Sequence, residues 1–441
     1  MKKENDFARI SNEIEAGSAV EAAATMEELP PKRAAEVAQR LELRSAANVI
    51  SRMDSAQAAQ VVGKMSVTTA AQVLAAMEPD DRVDCLRKMP RNLHETLVEQ
   101  MAPSQRAETR QLEQYPSNTA GGIMTTQYTA LPQDLNVEQA IAELRRIHAE
   151  NASMFYVYVV DPRRCLVGVL SMRDLILAPP DRPLNQVMIA NVKSVRANTD
   201  REEVARFMRE SRYLALPVID PDDHLIGLIT LDDVVKVIQE EATEDVQRMC
   251  GAGAEERLAS PWQFSFAKRI GWLQVNLGTA FLAGAVVTIF GSTIGRFAVL
   301  AVYMPIVSGM GGNAAAQAMS VSIRGISSGS SRRHDRRLLG HVLRREAIVG
   351  FLTGTIVGIT TAIIAWIWEY KHGSALGLIV CMALVITQTL ACVSGAGIPF
   401  VMRKLGFDPA QSATIFATTV TDVTGLASLL GLATLFQAWL R

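Results

Sequence analysis

Between residues 272 and 323 the chain carries a single charged side chain, Arg296. A run that long without charge is built to be solvated by something other than water. Apolar stretches at about 272–294, 298–323, 346–368, 375–400 and 411–438 each reach the roughly 20 residues needed to span a hydrocarbon core about 30 Å thick. Five membrane-spanning helices are therefore expected in a transmembrane domain at 269–441. The segment 324–345 holds Arg332, Arg333, Arg336, Arg337, Arg344 and Arg345, and basic loops stay on the cytosolic side. Lys268-Arg269 and Arg403-Lys404 then lie on that side too, which puts the loop Glu369-Tyr370-Lys371-His372 and the C-terminus outside. The N-terminus, MKKENDFARISNEIEAG, lacks an apolar core of signal-peptide length, so the N-terminal half is expected in the cytosol, below a cytoplasmic membrane.

The rest of the chain is water-compatible and repetitive. With 44 basic and 45 acidic side chains the formal net charge is −1, so bulk electrostatics gives no reason to expect nucleic acid as a partner. Five scattered cysteines without a C-x-x-C pair point to neither a disulfide framework nor a thiolate zinc site. In 31–88, Ala34-Ala35-Glu36-Val37, Ala46-Ala47-Asn48-Val49, Ala58-Ala59-Gln60-Val61 and Ala70-Ala71-Gln72-Val73 recur about every twelve residues. A unit so short is one helix and a turn that must stack on its neighbours, giving a superhelical N domain at 1–124. Pro30-Pro31, Asp54, Pro79-Asp80 and Pro90 fall where such helices start.

A longer repeat follows. Asp161 to Ser171 matches Asp220 to Thr230 at an offset of 59. In each copy an alternating strand (Tyr156–Val160; Leu214–Ile219) meets an Asp-Pro turn and a second strand, and then a Ser or Thr caps a helix near Asp174 or Asp233. Helices at Val137–His148 and Arg201–Glu210 precede the strand pairs. This doubled β-α-β-β-α pattern resembles a pair of CBS domains, at 125–185 and 186–240, a fold that often holds adenine nucleotides between its copies. The segment 231–250 continues as an acidic helix with Asp233, Glu240, Glu241, Glu244 and Asp245 toward one side, leading into a connecting helix at 241–268. Such a run is either a solvated face or, with Asp80, Asp81 and Asp84, a set of facing hard-oxygen ligands suited to Mg2+ or Ca2+.

In the apolar part, Asp422 lies near the middle of the last stretch, within Thr418-Thr419-Val420-Thr421-Asp422. An intramembrane carboxylate is costly unless water or a cation accompanies it, so Asp422 marks a hydrated path whose missing counter-charge is the transported cation. In Met304-Pro305-Ile306-Val307-Ser308-Gly309-Met310-Gly311-Gly312-Asn313 a proline and three glycines fit a helix break beside that path, with close helix packing through the small residues as the alternative for the glycines. Asn313 and Gln317 share a face one turn apart.

Tyr115-Pro116-Ser117-Asn118-Thr119-Ala120-Gly121-Gly122-Ile123-Met124-Thr125, the Pro305 to Gln317 motif, and Leu405-Gly406-Phe407-Asp408-Pro409-Ala410 followed by Thr418 to Asp422 together resemble the MgtE family of magnesium channels and transporters, over essentially the whole chain. The resemblance implies a multidomain α and α/β protein with an α-helical membrane part: helical N domain, CBS pair, connecting helix and five spans. It implies a homodimer, with a pore between subunits centred on Asp422 and lined by Gly311, Gly312 and Asn313. It also implies closure by intracellular Mg2+ bound among acidic residues, with Asp233, Glu241, Glu244 and Asp245 on such positions and Asp80 and Asp84 facing them. ATP can tune that response in the family, and Tyr156, Arg173 and Asp174 match its contacts. Ala315-Ala316 stand where the family usually has Gly-Thr. Lys236 stands where it often has a carboxylate.

No G-x-x-x-x-G-K-[ST] motif is present, so passive permeation is the preferred reading and no catalysis is expected. The alternatives are transport of cobalt, nickel or manganese, and a membrane-anchored nucleotide or magnesium sensor whose spans only anchor it.

Overall fold

The computed structural model describes residues 10, 18–147, 156–253, 256, 260–327, 335–368 and 373–440. Arg332, Arg333 and residues 369–372, used above for orientation, lie outside the described residues. The chain forms two compact units, Met1–Gln239 and Glu240–Arg441.

The first unit opens with α1 (Ala19–Glu27), α2 (Pro31–Ala38), α3 (Leu43–Ser51), α4 (Ser55–Val62), α5 (Val67–Ala76), α6 (Pro79–Arg87), α7 (Arg91–Glu99) and α8 (Pro103–Leu112). The repeat explains them. In α2, α3, α4 and α5 the buried residues are Ala34, Ala35, Val37 and Ala38; Ala46, Ala47, Val49 and Ile50; Ala58, Ala59, Val61 and Val62; and Ala70, Ala71, Val73 and Leu74. Small residues at the first two positions let each helix pack on the next but one, burying stripes that no helix this short could bury alone. The starts are set by Asp54, which accepts from the Ala56 and Gln57 amides at 3.1 Å, by Ser66, which accepts from Thr69, and by Pro31, Pro79 and Pro103 in first turns.

The 59-residue repeat becomes two matching sheets. Strands β1 (Ala130–Pro132), β2 (Tyr156–Val160) and β3 (Leu166–Ser171) form one, and β4 (Val195–Arg196), β5 (Ala215–Ile219) and β6 (Leu225–Thr230) the other. Tyr156 pairs with Ser171 as Ala215 pairs with Thr230, and both ladders shift register one residue before the turn. In each turn an aspartate carboxylate holds two amides: Asp161 those of Arg163 and Cys165, Asp220 those of Asp222 and His224. Arg164 and Asp223 take the left-handed conformation, φ 65° and 66°. The copies join there, with the Leu166 amide donating to the Asp223 carbonyl at 3.1 Å and the Leu225 amide to the Arg164 carbonyl at 3.3 Å. The short parallel strands β1 and β4 supply the first β of each β-α-β-β-α copy. Helices α9 (Val137–Ile147), α10 (Met172–Leu177), α11 (Leu184–Val187) and α12 (Arg201–Ser211) cover the sheets.

Helix α13 (Leu231–Met249) grows out of β6. Val83 and Leu112 of the helical domain share a core with Met124, Val204, Leu216, Val234 and Val237, which brings the start of α6 to the start of α13. The connecting helix does not run through 241–268. It stops at Met249, Gly251 turns left-handed with φ 74°, and the next helix starts after Pro261.

The second unit contains α14 (Trp262–Ile289), α15 (Gly291–Arg296), α16 (Leu300–Ser327), α17 (Asp335–Trp368), α18 (Gly373–Lys404) and α19 (Pro409–Leu435). Among the described residues, α14, α18, α19 and Leu339–Trp368 of α17 are long and apolar enough to cross a membrane. The fifth expected span, α16, has 28 residues, about 42 Å of helix, but its glycines, serines, Asn313 and Gln317 make it too polar to count with those four. Helix α18 is the hub, packed by α16, α17 and α19. The predicted break at Pro305 is absent, since α16 runs unbroken through it. Pro305 lies in the second turn, after amides of Ala301 and Val302 that bond three residues back, so the missing N–H costs only one bond near a helix start.

Candidate functional sites

The first site is where α16, α18 and α19 meet. Asp422 is half-buried and Ser308 donates its hydroxyl hydrogen bond to the Asp422 carboxylate. Gly311 and Gly425 set the approach of the helices. A methyl on Gly311 would meet the Thr387 methyl at 2.8 Å, and one on Gly425 the same methyl at 3.2 Å. Thr387 is fully buried and its hydroxyl has no partner among the described residues. Gly395 of α18 lies so close to the Ala315 carbonyl that a side chain could not enter, so the alanine at 315 preserves close packing. Thr418, Thr419, Thr421 and Thr424 turn their hydroxyls back to carbonyls of their own helix, which spares α19 unsatisfied donors in an apolar setting.

The residues predicted to line a path separate into two groups. Gly311 is buried against Thr387 and Thr421, whereas Gly312 has open space beside it and Asn313 and Gln317 are exposed. Ser308, inside the motif, was not singled out by sequence, because which side chain meets Asp422 depends on how two helices cross. A second acid, Glu346 of α17, is 6 % exposed and takes the Arg345 guanidinium.

The second site lies in the first unit, where α6 meets α13. The start of α6 supplies Glu78, Asp80, Asp81 and Asp84, and the start of α13 supplies Asp232, Asp233 and Lys236. Asp80 is 7 % exposed and one of its carboxylate oxygens has no hydrogen-bond partner among the described residues. Burial, then the charges of Asp233 and Asp81, hold the Asp80 carboxyl well above the usual range. Burial likewise pushes Asp233 up to about 7, while the Thr230 hydroxyl, 2.5 Å away, pulls it down. Glu78 is raised by burial and by Asp81 and Asp232. Asp81 and Asp84 are raised by burial, and Lys236 acts against that. Its Nζ is 3.4 Å from Asp81 Oδ1 and 3.9 Å from Asp84 Oδ2. These are hard oxygens whose charges raise one another's pKa, the donor class a small divalent cation takes, although among the described residues no three of them bring ligand atoms within 4.8 Å of one another. Glu78 joins a cluster that sequence had drawn from Asp80, Asp81, Asp84, Asp232 and Asp233.

The remaining acids of α13, Glu240, Glu241, Glu244 and Asp245, fall in the second unit. Glu244 pairs with Arg248, and Arg248 also pairs with Asp408, the N-cap of α19. The Thr414 hydroxyl donates to the Met249 carbonyl at 2.7 Å. The end of α13 is thus fastened to the start of the helix that carries Asp422.

In the CBS pair, Tyr156 opens β2, and Arg173 and Asp174 begin α10 with Arg173 exposed. One Asp174 oxygen is committed to a capping box, accepting from the Ser171 hydroxyl at 2.6 Å and its amide at 3.2 Å.

These features define a helical membrane protein whose membrane part follows a helical-repeat domain and a CBS pair. Family profiles agree with each part: the MgtE intracellular N domain matches 18–118, CBS domains match 120–181 and 184–240, and the MgtE divalent cation transporter matches 304–432. The chain is 33% identical over 332 residues to the magnesium transporter MgtE of Enterococcus faecalis, covering 75% of this chain and 72% of that protein. To the magnesium transporter MgtE of Thermus thermophilus it is 34% identical over 359 residues, 80% of this chain and 78% of that one. The crystal structure of the cytosolic domain of the Mg2+ channel MgtE in complex with ATP matches 52% of this chain and 99% of its own, at 31% identity and a TM-score of 0.45. The chain belongs to the MgtE family.

Proposed function

We propose that this protein carries Mg2+ into the cell across the cytoplasmic membrane, and that Mg2+ bound to its acidic cytosolic parts closes the path. The observation that carries this reading is Asp422, a carboxylate deep in an apolar helix whose partner is the neutral hydroxyl of Ser308. Such a group is worth keeping there if a cation passes. Mg2+ gives up its water reluctantly, so the carboxylate and nearby neutral oxygens would hold the hydrated ion through its waters. Gly312, Asn313 and Gln317 present a polar, sterically open face on α16, which suits a path completed by a second copy of the chain, with lipid around both.

Closure follows from the electrostatics of the soluble acids. Without a cation, Asp80, Asp84 and Asp233 repel, and Mg2+ would draw the helical domain and the CBS pair together. Glu241, Glu244 and Asp245 extend that acidic surface along α13, and the contacts of Arg248 and Met249 with α19 offer a mechanical route to Asp422. ATP held by Tyr156, Arg173 and Asp174 of the CBS pair would tune the response.

Magnesium uptake into proteoliposomes tests the reading, with the intact protein compared with Asp422→Ala at low and high Mg2+ on the cytosolic face. Uptake that disappears in the variant and falls at high cytosolic Mg2+ supports permeation and closure. Uptake that ignores cytosolic Mg2+ removes closure alone. No uptake under any condition favours the anchored sensor.

A further inference from the structure

In the acidic cluster between α6 and α13, one half-buried charge belongs to a base. Lys236 reaches from the second turn of α13 to two carboxylates one turn apart on α6, 3.4 Å from Asp81 and 3.9 Å from Asp84. The three side chains line a partly open cavity of only about 10 Å³ together with Ile50, Ser51, Met53, Ser55, Met77 and Cys85. That is about what one water molecule needs, so Lys236 already fills most of the space between the two carboxylates. Asp80 and Asp233 lie in the other half of the cluster, and there a buried Asp80 carboxylate oxygen has no partner among the described residues.

We propose that the Lys236 ammonium is a tethered counter-ion that holds α6 to α13 in place of a divalent cation, leaving only the Asp80–Asp233 half of the cluster to respond to Mg2+. The inference rests on the reading of this cluster as a magnesium-responsive surface and specifies its regulation. An ammonium on the chain has an effective concentration that does not follow cytosolic Mg2+. Half of the contact therefore persists when Mg2+ is withdrawn, and the response of the whole protein is shallower than that of a cluster made of carboxylates alone.

The test is hydrogen–deuterium exchange of α6 and α13 in the full-length protein, in EDTA and in saturating Mg2+, for the intact chain and for Lys236→Gln, Lys236→Asp and Lys236→Arg. Breaking a half-buried pair is worth on the order of tenfold in local opening. Lys236→Gln should therefore lose about tenfold protection of both helices in EDTA, and Lys236→Arg should not. Lys236→Asp should lose it in EDTA and regain it in Mg2+, because a third carboxylate completes a divalent site. Strands β5 and β6 report folding: if they lose protection in Lys236→Gln, the Mg2+ dependence of Lys236→Asp decides. Unchanged protection in Lys236→Gln, or loss in Lys236→Asp that Mg2+ does not restore, overturns the proposal. Because exchange is read without flux, failure of magnesium uptake leaves this result standing and condemns only the transport reading.

Discussion

His224 is a residue whose charge the fold sets through one neighbour. Its Nδ1 lies 2.9 Å from Asp220 Oδ2, and that bond, against some desolvation, raises the imidazole above its ordinary 6.5. A raised value means the folded state holds the proton more tightly. The stabilisation is complete below the unfolded value and disappears as pH rises through the folded one. Histidine NMR should find His224 titrating above 6.5 and returning toward it in Asp220→Asn; a titration unmoved by that change would separate the ring from the carboxylate. Asp422 was legible in the sequence because an acid in an apolar run has few explanations. Its partner Ser308 was not legible, because a serine among glycines carries no mark until helix crossing selects it.

Arg82 marks the place where one element departs from its repeat. The period that puts Ala34, Ala46, Ala58 and Ala70 in the core puts Arg82 there too, 2 % exposed, and its guanidinium donates to Glu108 of α8 at 2.6 Å. Glu108 also accepts from the Thr126 hydroxyl at 2.5 Å, which ties the last helix of the repeat to the entry of the CBS pair. Arg82→Ala restores the repeat residue but strands Glu108, at a cost of about 2–3 kcal/mol given that Glu108 is partly exposed. Adding Glu108→Gln should return at least half of the loss in a double-mutant cycle read by thermal unfolding, and strictly additive losses would show that the pair is not coupled. The helix starts at Pro31, Ser55 and Pro79 were readable from proline and aspartate. The end of α13 at Met249 was not, because the acidic pattern has no internal stop and the turn at Gly251 looks like any glycine.

At the scale of the molecule, Arg248 is the joint, linking Glu244 in the acidic helix to Asp408 at the cap of α19. Asp408→Asn keeps a capping oxygen for the Ala410 amide and removes the charge, so uptake at low Mg2+ should persist while its inhibition by cytosolic Mg2+ weakens several-fold. Arg248→Gln should do the same, and the two together should do no more than either alone. Full inhibition in both single variants would mean that closure reaches α19 by another route. The sequence by itself determined the order of parts, the repeats, the CBS pairing and the membrane region, because periodicity, a 59-residue offset and the near-absence of charge are properties of the chain before it folds. Only the tertiary structure decided that Pro305 leaves its helix whole, that Gly311 packs on Thr387, and that Lys236 and Arg248 neutralise acids the pattern had offered to metal. Those outcomes depend on which surfaces meet, and a contact between residues 81 and 236 or between 248 and 408 is fixed by packing and by no local signal.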